Sequence, residues 1–320
     1  MILTVTPNPT IDRAFFLRHF RLGAILRAER EVAAPSGKGV DVSLIVQRLG
    51  GETRALGLTA GHTGRIHRAM LDDEGLPHHF VEALGETRTA VLLVDQAAGQ
   101  QSTVTAPTLR ADESHLAQLL ALLARYAAGA WGVACAGSLA AGLPQDSYAR
   151  LLDRARSLGL FTLLDTSGPA LVQGIAGRPH ILKVNEVELA ALDPGTAPLV
   201  EGRAWAGLAA RLGERLGRWA THGIVVTLGP DGALAVTRAG TFHAWPPPVR
   251  VVNTAGAGDA VSGGLLLALS RGQSWPEALR LAMAAAGATV MSETIAFQER
   301  AQVEALLSQV AVDALGGQAG

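Results

Sequence analysis

Between Asn253 and Gly264 the chain reads N-T-A-G-A-G-D-A-V-S-G-G, with a single carboxylate, Asp259, among glycines and other small residues. An apolar run follows, with Val261, Leu265, Leu266, Leu267 and Leu269. The spacing predicts a loop that opens a helix. The first turn of a helix carries unpaired N–H groups and a partial positive charge. Glycines ahead of it let the backbone come close to an anion. Thr254, Ala255, Gly256, Ala257 and Gly258 are therefore candidates for a phosphate cradle. Asp259 has two readings. A carboxylate complements a helix N-terminus for structural reasons alone. Beside a phosphate it repels the ligand, which makes sense when it takes a proton from an attacking hydroxyl. Taken alone, the stretch supports a kinase loop and a glycine-rich helix start about equally. No Gly-Lys-Ser/Thr follows the glycines, so this is not a Walker A loop. A dinucleotide fingerprint would sit in the first βαβ unit, whereas this loop comes late.

The elements that must position this loop alternate between β-rich and helical patterns. Strands are expected at Ile2–Thr6, Ala90–Val94, Ser102–Thr105, Trp131–Ala136, Phe161–Leu164, His180–Val184, Ile224–Leu228 and Ala233–Thr237. Helices are expected at Val40–Leu49, Glu113–Tyr126, Gln145–Leu158, Glu186–Leu192 and Trp205–Thr221, then at Ala260–Arg271, Pro276–Met291 and Arg300–Ala314. Gly229-Pro230-Asp231-Gly232 reads as a tight turn, and Ser274 as an N-cap ahead of Pro276. Alternation of this kind implies an α/β fold with a mostly parallel sheet covered on both faces. Residues 14–32 and 86–106 differ, because charged and polar residues sit between the β-formers. They read as exposed strands of a small β-sheet lid, spanning about 13–33 and 86–106. Without repeats or a linker, residues 1–320 are expected to form one domain with a lid.

Bulk properties narrow the function. Lys and Arg number 27 and Asp and Glu 28, a net charge of −1, which argues against a nucleic-acid partner. Cys135 is the single cysteine, so no disulfide forms within the chain and a reducing, cytoplasmic setting is expected. The longest apolar candidate, near Leu116 to Ala136, is broken by Arg125, Gly129 and Gly132, so no membrane span is expected. His62, His67, His78 and His79 lack a metal-ligand spacing and read as surface residues. Cys135 reads as a small core residue.

The loop resembles the second signature of the ribokinase-like (pfkB) sugar kinases, and the resemblance runs along nearly the whole chain. Asn8-Pro9-Thr10-Ile11-Asp12 resembles the N-P-x-x-D opening of the phosphofructokinase branch. Pro35-Ser36-Gly37-Lys38-Gly39-Val40-Asp41-Val42 is similar to G-G-K-G-x-N-V. Ala136-Gly137-Ser138-Leu139, followed by Gly142, resembles S-G-S-L-P-x-G. Asp165-Thr166-Ser167-Gly168 resembles D-x-S-G, and Lys183-Val184-Asn185-Glu186-Val187-Glu188 resembles K-P-N-x-x-E. Thr227-Leu228-Gly229-Pro230-Asp231-Gly232-Ala233 resembles S-L-G-x-x-G-A. Within the family, the nearest likeness is to the 1-phosphofructokinase and tagatose-6-phosphate kinase branch.

The resemblance implies a three-layer αβα sandwich with a lid, ATP as co-substrate and Mg²⁺. It implies Asp259 as catalytic base and the backbone from Ala255 to Gly258, with Gly256, Ala257 and Gly258 at its centre, as anion hole. Asn185 and Glu188 would stand near Mg²⁺, Glu188 through water, as magnesium keeps much of its hydration. Apart from family likeness, the two read as an N-cap with a first-turn carboxylate. Lys183, Asn185, Thr227, Gly229, Gly232 and Thr254 would serve the nucleotide. Asp12, Gly37, Lys38, Gly39, Asp41 and Ser138 would serve the sugar. Arg88 matches a lid arginine that meets the substrate's own phosphate, a task its planar fork suits; its spacing fits an exposed charged strand equally well. Arg27 is a weaker phosphate candidate. The chain departs from the pattern at Asp41, where the family usually has Asn, and at Val184, Asn253 and Ala140. An ionised Asp41 would only accept hydrogen bonds and would repel a nearby phosphate.

The expected reaction is ATP-dependent phosphorylation of a ketohexose phosphate, with fructose 1-phosphate giving fructose 1,6-bisphosphate as first choice. Alternatives are tagatose 6-phosphate, fructose 6-phosphate, an unphosphorylated sugar or a nucleoside as acceptor. A catalytically silent sugar-phosphate sensor and a dinucleotide-dependent oxidoreductase are the readings from other classes. Pairing of exposed lid strands between subunits would make a homodimer.

Overall fold

The computed structural model describes residues 1–294 and 296–315. In chain order its strands are β1 (Ile2–Thr6), β2 (Thr10–Leu17), β3 (Arg30–Ser36), β4 (Thr53–Thr59), β5 (His78–Glu82), β6 (Leu84–Gly85), β7 (Arg88–Asp95), β8 (Gln100–Val104), β9 (Leu109–Arg110), β10 (Gly132–Ala136), β11 (Phe161–Asp165), β12 (Ile181–Asn185), β13 (Gly223–Thr227), β14 (Ala233–Thr237), β15 (Gly240–Ala244) and β16 (Val312–Ala314). The α-helices are α1 (Lys38–Arg48), α2 (Gly61–Asp73), α3 (Glu113–Tyr126), α4 (Ser147–Ser157), α5 (Gly168–Gly174), α6 (Glu186–Leu192), α7 (Ala197–Glu201), α8 (Trp205–Gly213), α9 (Ala257–Ser270), α10 (Trp275–Val290) and α11 (Arg300–Glu304).

The main sheet runs β16-β15-β14-β13-β12-β11-β10-β1-β4-β5. Its pairings are parallel from β5 to β13 and antiparallel from β13 to β16. Side chains alternate between the faces of a strand, so each apolar strand feeds two cores. Leu3, Val5, Val133, Cys135, Leu182 and Val184 pack with residues of α3, α4, α5 and α8. Ile2, Ala134, Leu163 and Ile181 pack with α1, α9 and α10 on the opposite face. The result is the three-layer arrangement that the motifs imply. Two glycines of the 253–264 stretch serve this packing. A Cβ at Gly263 would stand 2.7 Å from Ile45 of α1, and one at Gly264 would stand 2.7 Å from the Ala282 backbone of α10. Ser274 and Glu277 form a capping box at the start of α10, with Pro276 in its first turn.

A second sheet, β3-β2-β7-β8, forms the lid. Its strands begin earlier than expected, at Thr10 rather than 13, and residues 18–29 form no strand. Its outer strand β8 is exposed along its whole length.

Two expected helices are corrected. The helix from Trp205 ends at Gly213 rather than continuing to Thr221. Gly217 takes φ +90 and its N–H turns to the Ala220 carbonyl, a conformation incompatible with a helix. The helix from Arg300 ends at Glu304, and Val312–Ala314 joins the sheet beside β15. An unpaired sheet edge outweighs local helix propensity there. Sequence patterning also left β4, β5, β15 and α2 unassigned.

Candidate active site

Parallel strands gather their chemistry at their carboxyl ends. On β11, Leu163 packs toward α9, and alternation carries Asp165 to the same side. On β12, Ile181 does the same for Lys183. Asp165 is fully buried. Its Oδ1 accepts from Lys38 Nζ at 2.6 Å, and its Oδ2 meets Lys183 Nζ at 2.9 Å and the Ser262 hydroxyl at 3.2 Å. Burial alone would raise its pKa, but Lys183 and Lys38 hold it down to about 2. Burial would lower the Lys38 pKa, and Asp165, Asp259 and Glu188 more than reverse that. Asp165 thus keeps two charged lysines side by side. Sequence reasoning quoted this residue in a motif but gave it no role; the signal available was a lone Asp closing a buried apolar strand.

The 254–258 loop delivers α9 to these lysines. Gly256 is the N-cap at φ 78, a left-handed conformation that favours glycine. A Cβ on Gly258 would lie 2.7 Å from Lys183 Nζ, so this glycine lets lysine and loop touch. Asn253 Oδ1 accepts from the Ala255 N–H at 2.9 Å and shapes the turn. Asp259 is buried in the first turn, and one of its oxygens has no partner. Burial and Asp165 raise its pKa to about 7 against the pull of Lys38 and Lys183.

Asp12 on β2, Asp41 on α1 and Arg88 on β7 come together under the lid. Thr10 stands opposite Arg88 in the lid sheet, which puts Asp12 two residues along from it. Burial raises the Asp12 pKa to about 6, against the Ser36 hydroxyl and Arg88. Arg88 is half-buried, donates to the Asn8 carbonyl at 3.3 Å and keeps its Nε unpartnered; it is not an exposed strand charge. Asp41 is 4% exposed and its Oδ2 accepts from the Ser36 hydroxyl at 3.1 Å. Burial raises its pKa well above the carboxylate range, and Asp259 and Asp12 add to this. The ionised form assumed from sequence is therefore the disfavoured one. Gly37 (φ 123) and Gly39 press on Thr6 and Pro9, where a Cβ would clash at 2.9 and 2.4 Å respectively. Ser138 accepts from Asn8 Nδ2 at 3.1 Å.

On the other side of the lysines lies a cleft of about 1010 Å³, which also reaches Asp259. Asn185, Thr227, Gly229, Gly232, Thr254 and Gly258 line it. Asn185 caps α6 and Glu188 returns the bond, the capping box that the plain sequence reading describes. Glu188 Oε1 also reaches Lys38 at 3.4 Å. Gly232 takes φ 87, and a Cβ there would strike the Ala244 carbonyl at 2.0 Å. Residues 245–248, W-P-P-P, and Met283 complete the apolar wall. Sequence reasoning passed over both; the proline run was the visible signal.

Other candidates fall outside. Arg27 is exposed on the 18–29 segment and forms no ion pair with the cluster. His67 is not a surface residue. It is fully buried, its Nε2 lies 3.3 Å from the Ser36 carbonyl, and burial lowers its pKa to about 4. Cys135 is a buried core thiol pushed up to about 12.

Residues 8–299 match the family model described as pfkB family carbohydrate kinase. The chain is 31% identical over 319 residues to a 1-phosphofructokinase of Bacillus subtilis (strain 168), covering 98% of this chain and 100% of the relative. It is 31% identical over 293 residues to a D-tagatose-1-phosphate kinase of Bacillus licheniformis, covering 92% and 93%. Phosphofructokinase-2 from Escherichia coli in complex with substrates and products superposes with a TM-score of 0.85 at 29% identity, over 96% of this chain and 98% of that one.

Proposed function

We propose, for a chain that belongs to the pfkB family of carbohydrate kinases, that the acceptor is a ketohexose phosphate and that fructose 1-phosphate becomes fructose 1,6-bisphosphate. The observation that carries this reading is the placement of Asp259: a buried carboxylate, held near neutral titration, at the start of the helix whose loop faces two lysines. Such a group is matched to take a proton near pH 7. The names of the relatives support the acceptor class.

Asp259 removes the acceptor hydroxyl's proton as its oxygen attacks the γ-phosphorus of ATP in line. A new P–O bond forms, the bond to the β-phosphate oxygen breaks, and ADP leaves. N–H groups from Ala255 to Gly258 stabilise charge on the transferred group. Lys183 and Lys38, fixed by Asp165, add positive charge. Mg²⁺ bound with ATP would neutralise phosphate charge. Glu188, through water, and Asn185 would hold it; a cation that keeps several waters needs only one carboxylate and a carbonyl here. Asp12, Gly37, Gly39 and Ser138 hold the sugar, and Arg88 meets its phosphate. Lid closure over the sugar excludes water.

Residues 1–320 serve as one kinase domain in this reading, and a cytoplasmic setting suits the ATP requirement. No described helix is long and apolar enough to cross a membrane. Exposed β8 and the exposed Leu22 and Ile25 of the lid favour a homodimer through the lid; a monomeric mass in solution removes that part.

The test is ADP release from Mg-ATP with fructose 1-phosphate, fructose 6-phosphate, tagatose 1- and 6-phosphates, fructose, ribose and adenosine. Preference for fructose 1-phosphate is expected. Turnover only on unphosphorylated acceptors overturns the substrate class. ATP binding without any turnover makes the chain a silent sensor.

A further inference from the structure

Asp41 is a substrate-side residue whose type departs from the family pattern, and its surroundings give a carboxylate little compensation. Its Oδ2 accepts a single hydroxyl bond, from Ser36, and its Oδ1 is buried without any partner. It belongs to no ion pair among the described residues, while both nearby cations are engaged elsewhere. Lys38, on its own helix, is held by Asp165 and Glu188. Arg88, on β7, acts on Asp12 and donates to the Asn8 carbonyl. The other groups facing it are carboxyls, Asp12 from β2 and Asp259 from α9. His67 of α2 places its Nε2 against the Ser36 carbonyl and is held uncharged by burial. The Gly37 N–H offers the only further support for a charge. A buried carboxylate without a cation and beside two other carboxyls takes up a proton rather than stay charged.

We infer that Asp41 serves the sugar as a neutral acid, donating its O–H to a substrate hydroxyl where the family pattern places an amide. Two geometric facts support this. The Oδ1 atoms of Asp12, Asp41 and Asp259, three carboxyls close enough to act on one another, are each buried without a partner. An acid O–H and an amide N–H are both donors at the same distance from the backbone, whereas an ionised carboxylate has none. The direction of the titration agrees, since burial comes first among its causes and the two acidic neighbours follow. Unlike an amide, the acid loses its donor as pH rises. Sugar affinity then falls in alkaline solution, while ATP affinity does not follow.

The inference rests on the proposed kinase reading for its sugar, so the test has two independent arms. In the kinetic arm, sugar KM and ATP KM are measured from mildly acidic to alkaline pH for the wild type and Asp41→Asn. Wild-type sugar KM is expected to rise about tenfold at the alkaline end, the worth of one lost hydrogen bond with a charge left behind. The variant's sugar KM, whatever its value, lacks this alkaline rise. The rising limb of kcat, assigned to Asp259, stays in place in the variant. An acid shift of that limb would mean that a negative charge had been removed from beside Asp259, and would overturn the inference. In the spectroscopic arm, the infrared difference between wild type and Asp41→Asn at neutral pH is expected to contain a protonated carboxyl C=O band. Absence of that band overturns the inference without reference to activity. If no sugar in the panel is phosphorylated yet the band is present, the kinase reading fails and the acid assignment stands. Should Asp41→Asn not fold, the wild type alone decides: a sugar KM independent of pH sinks the proposal, and a tenfold alkaline rise with constant ATP KM upholds it.

Discussion

The two ends of the site are built from opposite materials. At the end proposed for the nucleotide, Asn185 and Glu188 cap one another and apolar residues form the wall, with the chain of 245–248 closing the cleft. At the end proposed for the sugar, Asp12, Asp41, Asp259 and Arg88 each keep one buried atom without a partner. Buried polar atoms without partners are rare in folded proteins and cost stability. Their clustering under the lid marks where substrate hydroxyls and phosphate would complete the pairing. Between the two ends, the Asp165 hub is fully satisfied and carries charge of both signs. The nucleotide end is therefore preformed, whereas the sugar end stores unfavourable terms that ligand binding relieves.

The comparison breaks first at Asp259. Asp259→Asn is expected to lower kcat by about 10³-fold, the worth of a general base, while ATP binding persists. Near-normal turnover would remove the base role. Next comes the hub. Asp165→Asn leaves the buried Lys183 without its carboxylate and Lys38 with Glu188 alone, and about 3 kcal/mol of stability is expected to be lost. Denaturant midpoints within error of the wild type would show that the hub is not needed to hold the lysines. Arg88→Lys keeps the charge but loses the planar fork. It is expected to raise the KM for a sugar phosphate about 30-fold with ATP KM unmoved. Equal effects on both substrates would place Arg88 outside the sugar end.

The smallest effect sharpens the contrast through pH. Asp259 titrates at about 7 in the fold against 3.8 as a reference, so the folded state holds the extra proton. Folding stability from this group therefore declines as pH rises from 3.8 to about 7. Asp165, held down to about 2, has the opposite sign, and its contribution is lost as pH falls toward 2. Asp259→Asn is accordingly expected to be more stable than the wild type at neutral pH, by about 2 kcal/mol. A variant no more stable at pH 7 than at pH 4, relative to wild type, would contradict the stored-cost account of the sugar end.

What the sequence determined by itself was local or short in range. The alternation of apolar strands and helices specified a parallel sheet, because each strand is buried on both faces. Glycine spacing before Asp259 marked the helix N-terminus, and Asn185 with Glu188 marked a cap, because these depend on neighbours a few residues away. The lid was legible as charged β-rich segments, though not its strand limits. The tertiary structure decided the rest. Asp165 meets Lys38 across 127 positions, and neither residue type nor spacing announces such a pairing. His67 became buried because β3 lies over α2, and Val312–Ala314 became a strand because β15 presented an open edge. The charge state of Asp41 was likewise undecided by the sequence. An aspartate in water is ionised; only burial beside Asp12 and Asp259, with both cations engaged elsewhere, makes it an acid.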